Sequence, residues 1–264
     1  MQKQSNLVLE LEFNMKKIGF IIWTVLLVSC NSENANDCFQ TDGNLVTTPF
    51  NVPAFQKIRI EDDVSLLIKQ GPAQEVLIET GANLLNDISV AVEGETLVVK
   101  NHNGCNLVRD FGITKAIVTV QNITEIRNSS IYHVVGEGEL NVPFLRLISN
   151  TTGGLTDSKK SGDFTLTVRC EDFRIEANGY SGFYIDGFSE KATIAFEDEV
   201  PRLEGANLIV NDLYVFQRSA NKMMVHPVNR IRGVIRGTGN VISVQRPPVV
   251  EVEEFYTGRL IFED

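Results

Sequence analysis

Along most of the chain, apolar and polar residues alternate with a period of two, which is the pattern of half-buried β-strands. Between residues 50 and 122 such runs occur at Ile58-Arg59-Ile60, Val64 to Ile68, Val76-Leu77-Ile78, Ile88 to Val92, Leu97 to Val99 and Ile117 to Val120. Turns at Gln70-Gly71-Pro72, Gly81-Ala82-Asn83 and Glu93-Gly94-Glu95 separate them, and Ile88–Val99 reads as a hairpin. This stretch predicts an N-terminal antiparallel β portion.

From 123 to 245 the alternation recurs with a weak repeat. Comparable strand starts fall at Ile126, Leu145, Phe173, Ala192, Leu213 and Ile231, at intervals of 19, 28, 19, 21 and 18 residues. The long interval holds the polar run Thr156 to Asp163. Many repeats then turn at Gly or Asn and begin a second strand, as at Gly136-Glu137-Gly138, Gly182-Phe183-Tyr184 and Gly237-Thr238-Gly239. A repeat of two or three short strands and no helix cannot bury its apolar side alone, so successive repeats must stack. The expected fold is all-β, a right-handed parallel β-helix or solenoid-like domain, with six rungs spanning roughly 29 Å at ~4.8 Å per strand. An irregular β-sandwich with chance spacing is the alternative.

The first thirty residues follow another rule. Lys16 and Lys17 precede an uncharged run, Ile18 to Val28, too short to span a bilayer as a helix, which takes ~20 residues. The run fits a secretory signal. Leu27-Val28-Ser29-Cys30 resembles the bacterial lipobox, with Cys30 as the lipidation site at the membrane surface. Glu10 and Glu12 stand where a signal carries positive charge, so Met15 reads as the true start. Residues 1–29 are thus an upstream extension plus signal peptide, and 30–49 a lipidated tether. Residues 50–264 form a single domain, divided into N-terminal strands (50–122), repeat rungs (123–245) and a C-terminal strand (246–264). Asn31 after the cysteine resembles lipoproteins sent to the outer membrane, on its periplasmic or cell-surface face.

Composition sharpens this picture. Lys and Arg number 24 against 34 Asp and Glu, a formal charge of −10. Cleavage before Cys30 removes three lysines and two glutamates and leaves −11. Such a chain has no general affinity for nucleic acid. An exported chain can hold disulfides. Cys38 and Cys105 both look loop-borne and are expected to pair, leaving Cys170, at the end of an apolar strand, as a buried thiol. His102, His133 and His226 lie too far apart in sequence to suggest a metal site, and no cofactor is expected.

Several segments resemble the bacterial auto-transporter adhesin, head GIN domain family. They are Phe55 to Ile60, Gly81-Ala82-Asn83-Leu84-Leu85, Asn103 to Arg109, Ile235 to Val241, and Gly258. The likeness runs from about Phe55 to Phe262. It implies a right-handed β-helix-like fold in an exported, often lipid-anchored protein, and it supplies no catalytic residues. The middle repeats, Leu203 to Asn207 and Arg218 to Asn221, lack the family's Gly-x-Gly turn.

Candidate chemistry is sparse. The Gly-x-Gly pairs are followed by β-branched residues, not by the helix a phosphate loop requires, and read as turns. The acidic runs Glu61-Asp62-Asp63 and Glu197-Asp198-Glu199 read as solvated turns; a calcium site is the alternative. Tyr180, Phe183, Tyr184 and Phe188 cluster around turns and read as core before sugar platform. Second positions of the repeat starts are Arg127, Arg146, Arg174, Thr193, Tyr214 and Arg232. Stacked arginines repel unless something offsets them. Either neighbours such as Glu125 and Glu176 do so, or the ladder Arg127, Arg146, Arg174, Tyr214 and Arg232 takes a carboxylated or phosphorylated glycan. The expected function is a non-enzymatic envelope lipoprotein, membrane-bound through its lipid, that binds an acidic glycan or envelope component. Two alternatives stand beside it: a polysaccharide-active β-helix lyase or glycosidase, and a structural envelope module.

Overall fold

The structure, a computed structural model, describes residues 38–152, 155 and 158–263. The predicted signal segment, Met15, Cys30 and the tether through Asp37 lie outside the described residues. The chain divides into two compact units.

The strands are β1 (Leu45–Pro49), β2 (Lys57–Asp62), β3 (Ser65–Gln70), β4 (Glu75–Gly81), β5 (Ile88–Glu93), β6 (Thr96–Asn101), β7 (Lys115–Val120), β8 (Glu125–Ser130), β9 (Val134–Asn141) and β10 (Phe144–Ser149). They continue as β11 (Phe164–Ala177), β12 (Gly182–Phe196), β13 (Arg202–Gln217), β14 (Met223–Ile235), β15 (Val241–Ser243), β16 (Val249–Glu254) and β17 (Leu260–Phe262). The described chain is all-β, with one 3₁₀ turn at Leu85–Asp87 and no α-helix.

The larger unit (47–79, 88–102 and 112–264) is a mixed sheet in which the chain alternates between two parallel ladders. One ladder runs β6, β2, β8, β10, then the second halves of β11 to β14, then β16. The other runs β7, β3, β9, then the first halves of β11 to β14, then β15 and β17. β4 pairs antiparallel with β7, and β5 with β6 as a hairpin. The expected antiparallel N-terminal portion is thus present at β4–β7 and in the Ile88–Val99 hairpin, but is corrected for β2 and β3, which already belong to the parallel ladders. Their partners β8 and β9 lie some seventy residues downstream, and alternation within a strand does not encode which distant strand it meets.

Parallel register stacks like on like. Leu66, Val134, Phe164, Phe183, Leu203, Met223, Val241 and Leu260 form one inward column. All but Leu260 are buried, and the Phe164 and Phe183 rings stack at 4.9 Å between centroids. Ile58, Ile126, Leu147, Ile175, Ile194 and Val215 form a second. Burying a full apolar side chain stabilises by ~1.5–3 kcal/mol, so these columns hold the unit together. Where Val215 meets Gly233 the backbones close up: φ of Gly233 is +134°, and a Cβ there would sit 1.9 Å from the Val215 carbonyl oxygen. Gly187 repeats the arrangement against Val168, at φ +114° and 2.0 Å. No further strand pairs in register beyond β16 among the described residues, and five of its six residues are exposed.

The smaller unit comprises described residues 38–46, 80–87 and 103–111. A disulfide joins Cys38 to Cys105 across 67 residues. Hydrogen bonds from Leu107 N to Cys38 O, Ala82 N to Asn44 O and Gln40 Nε2 to Asn83 O, at 2.8–3.0 Å, complete it.

Candidate functional site

The predicted arginine ladder lies on the outer side of the first-named ladder. Arg146, Arg174, Thr193, Tyr214 and Arg232 are in register on consecutive strands, and Glu251 follows. Arg127 does not join them. Arg146 meets Glu125, and Arg127 stands opposite Ile148, two pairs further along. Ile126 aligns with Leu147, two residues past Leu145, so the 19-residue interval does not set the register here. Arg127 is 9% exposed, donates to both Asn150 O (3.0 Å) and Asn150 Oδ1 (3.1 Å), and burial pulls its pKa down.

Each remaining ladder arginine has a carboxylate. Arg146 donates to Glu176 Oε1 at 2.9 Å and reaches Glu125 at 3.4 Å; the Glu176 hydrogen bond leads in raising its pKa. Arg174 is paired with Asp172 at 2.8 Å and lies over the Phe144 ring. Arg232 lies over Tyr214 and contacts Asp212 at 3.3 Å; Asp212 also takes Arg230 at 2.6 Å. Hydrogen bonds from Arg230 and then Arg232 hold the Asp212 pKa low. The acidic runs are engaged as well. Glu61 contacts Arg59 and Lys100, and Glu199 contacts Lys160 at 3.2 Å.

A concave feature occurs on the outer side of the other ladder. There Val135, Thr165, Tyr184, Glu204 and Met224 stack in one column. Just past this column the register shifts on three of the four pairings, at Thr165/Thr167, Tyr184/Gly187 and Glu204/Ile209, while β11 and β12 stay in step. Such irregularities re-aim side chains. They open a shallow groove of about 350 Å³ lined by Thr165, Thr167, Tyr184, Asp186, Glu204 and Asn207 among others. Arg202 braces Tyr184, its Cζ 5.5 Å from the ring centroid and its Nη2 donating to the hydroxyl. Lys222 (2.9 Å) and Arg202 (3.4 Å) flank Glu204. The groove thus offers an aromatic face, two hydroxyls, two carboxylates and an amide.

Of the aromatic cluster, Phe183 is core while Tyr180 and Tyr184 are exposed. Sequence reading missed Asp186 and Glu204 as neighbours of Tyr184. The available clue was spacing: Thr165, Tyr184 and Glu204 fall 19 and 20 residues apart. Among the described residues no three His, Cys, Asp or Glu side chains gather as a metal site.

Solved structures share this fold. An adhesin-like protein of Bacteroides fragilis NCTC 9343, described as "a putative adhesin", aligns with a TM-score of 0.73 and 18% identity, over 84% of this chain and 99% of its own. A "putative adhesin" of Parabacteroides merdae ATCC 43184 gives 0.60 and 13%, over 84% and 98%. A "putative lipid binding protein" of Parabacteroides distasonis ATCC 8503 gives 0.56 and 11%, over 84% and 98%. No curated protein matches the chain by sequence. The family model "Putative auto-transporter adhesin, head GIN domain" matches residues 54–247, more than half of the chain, and the protein belongs to that family.

Proposed function

We propose that this protein is an outer-membrane lipoprotein, anchored through acylated Cys30, whose right-handed β-solenoid binds envelope or neighbouring-cell glycan without transforming it. The observation that carries this reading is the groove around Tyr184. An aromatic ring flanked by hydroxyl, amide and carboxylate groups matches a sugar, which presents an apolar face ringed by hydroxyls. The alternating parallel ladders support a solenoid, and the family and its adhesin-described structural neighbours support a surface-binding role. The groove favours neutral glycan over the acidic glycan the arginine ladder suggested, because two carboxylates line it and the ladder's charges are spent on internal partners.

Affinity electrophoresis through neutral polysaccharides tests the reading. Tyr184→Ala is expected to weaken retention about fivefold, the loss of roughly 1 kcal/mol of aromatic contact. Equal retention of both proteins overturns it. The presence of Asp186 and Glu204 in one groove favours, as a second reading, a glycan-cleaving enzyme. New reducing ends in the same incubations would establish that reading instead. Mass spectrometry of the mature amino terminus is expected to find acyl chains on Cys30.

A further inference from the structure

Among the described residues, five of the sixteen exposed large hydrophobic side chains fall in the small disulfide-linked unit: Phe39, Leu45, Leu107, Val108 and Phe111. Leu107 is 69% exposed and Phe111 is 72% exposed. Four of the five flank the disulfide, Phe39 beside Cys38 and the others just after Cys105. The 105–111 loop is tightly bonded. Leu107 N donates to Cys38 O at 3.0 Å, Arg109 N donates to Asn106 Oδ1 at 3.0 Å, and Asn106 Nδ2 donates to Arg109 O at 2.9 Å. The Arg109 guanidinium turns back to Gln40 O at 3.0 Å and Cys105 O at 2.9 Å. The loop therefore turns Arg109 back onto its own backbone while its apolar side chains stand in solvent, with Asp110 among them.

The chain leading to this loop says what covers it. Cys38 follows Cys30 by eight residues, a reach of at most ~28 Å when fully extended. Acylated Cys30 would keep Phe39 and its neighbours within that distance of a bilayer. The mature charge of −11 disfavours an anionic surface and leaves a zwitterionic one. Resting on the lipid-anchor reading above, we infer that Phe39, Leu107, Val108 and Phe111 form an interfacial foot that inserts into zwitterionic phospholipid. The foot is a second attachment beside the acyl chains and fixes the small unit against the membrane. Apolar side chains presented this way enter the headgroup–acyl boundary to a depth of ~5–10 Å.

The test uses the chain from Cys30 to Asp264, coupled through the Cys30 thiol to maleimide-headgroup lipid in phosphatidylcholine vesicles. Cys38 and Cys105 are bonded to each other and Cys170 is buried, so only Cys30 couples. The sole tryptophan, Trp23, precedes Cys30, so Leu107→Trp or Phe111→Trp carries a single indole. On coupling, emission of both variants is expected to shift to the blue. Emission should fall by about half in vesicles of phosphatidylcholine brominated near the boundary, at the insertion depth of ~5–10 Å. Emission that is the same on brominated and ordinary vesicles for both variants overturns the inference. A natural mature protein without acyl chains would defeat the lipid-anchor reading alone, since the quenching result is obtained with the chemical tether.

Discussion

Arg146 and Glu176 stand on adjacent parallel strands, the guanidinium Nε donating to the carboxylate at 2.9 Å while a second nitrogen reaches Glu125 on the other side. One arginine thus links three strands of the ladder. Its neighbour in register, Arg174, is turned instead to Asp172 on its own strand. The like charges of the column are separated into local pairs, which is how stacked arginines are tolerated.

Arg146→Ala should therefore act on stability. Both partners are about one-quarter to one-third exposed, so solvent screens the pairs, and a loss of about 1 kcal/mol is expected in urea denaturation. Retention by acidic polysaccharides should be unchanged in Arg174→Ala; a severalfold loss there would restore the ladder as an anion site.

Asp212 makes the fold sensitive to acid. Its pKa is lowered in the folded state, so its contribution is complete above its ordinary value of 3.8 and is lost as pH falls through the lower folded value. Acid titration of folding should show a gentler slope below pH 3.8 in Asp212→Asn than in wild type. The variant should also be less stable at neutral pH, because Arg230 and Arg232 lose their shared counterion.

Gly187→Ala and Gly233→Ala should each destabilise by at least about 2 kcal/mol, combining positive φ with a Cβ inside van der Waals contact of a carbonyl. Gly94 provides the comparison. It also has positive φ, but nothing lies within 4 Å of its Cβ position, and Gly94→Ala should cost only about 1 kcal/mol. Equal effects at all three sites would mean that the close approach contributes nothing.

Cys170 should be inert. Burial first, then Asp172 and Glu139, push its thiol up to about 12. A thiol reagent at pH 8 is expected to leave it unmodified until the protein unfolds. Because the unfolded thiol ionises near 9, this group lowers stability as pH rises from about 9 toward 12.

Reduction of Cys38–Cys105 should remove up to about 4 kcal/mol, the chain-entropy value for a loop of 67 residues. Thermal unfolding with and without reductant measures it.

Alternation made the strands legible, and the apolar starts from Leu145 through Ile231 do share one column, even across the 28-residue interval that holds the polar run. The regular 19-residue interval from Ile126 to Leu145 misled, because Ile126 pairs with Leu147. Arg127 therefore lies two residues along from Arg146 and donates to Asn150. The polar Arg169–Asp172 stretch looked like a strand end, yet β11 continues through it. The ladder register skips one residue there, so Cys170 meets Ser189 and Asp172 meets Lys191. The groove stayed hidden because it arises from register shifts between strands, which no single strand's sequence expresses. Tyr184 was visible as an aromatic; its companions were not.

β16 ends its ladder exposed, with Glu251 and Glu253 on one face and Glu254 on the other. Parallel in-register pairing is self-templating, since any copy of the same strand fits the hydrogen-bond pattern of the last one. A second molecule docking there would set Glu251 on Glu251 and Glu253 on Glu253 at ~4.8 Å. Like carboxylates at that spacing repel, so the edge strand opposes its own extension by a second copy.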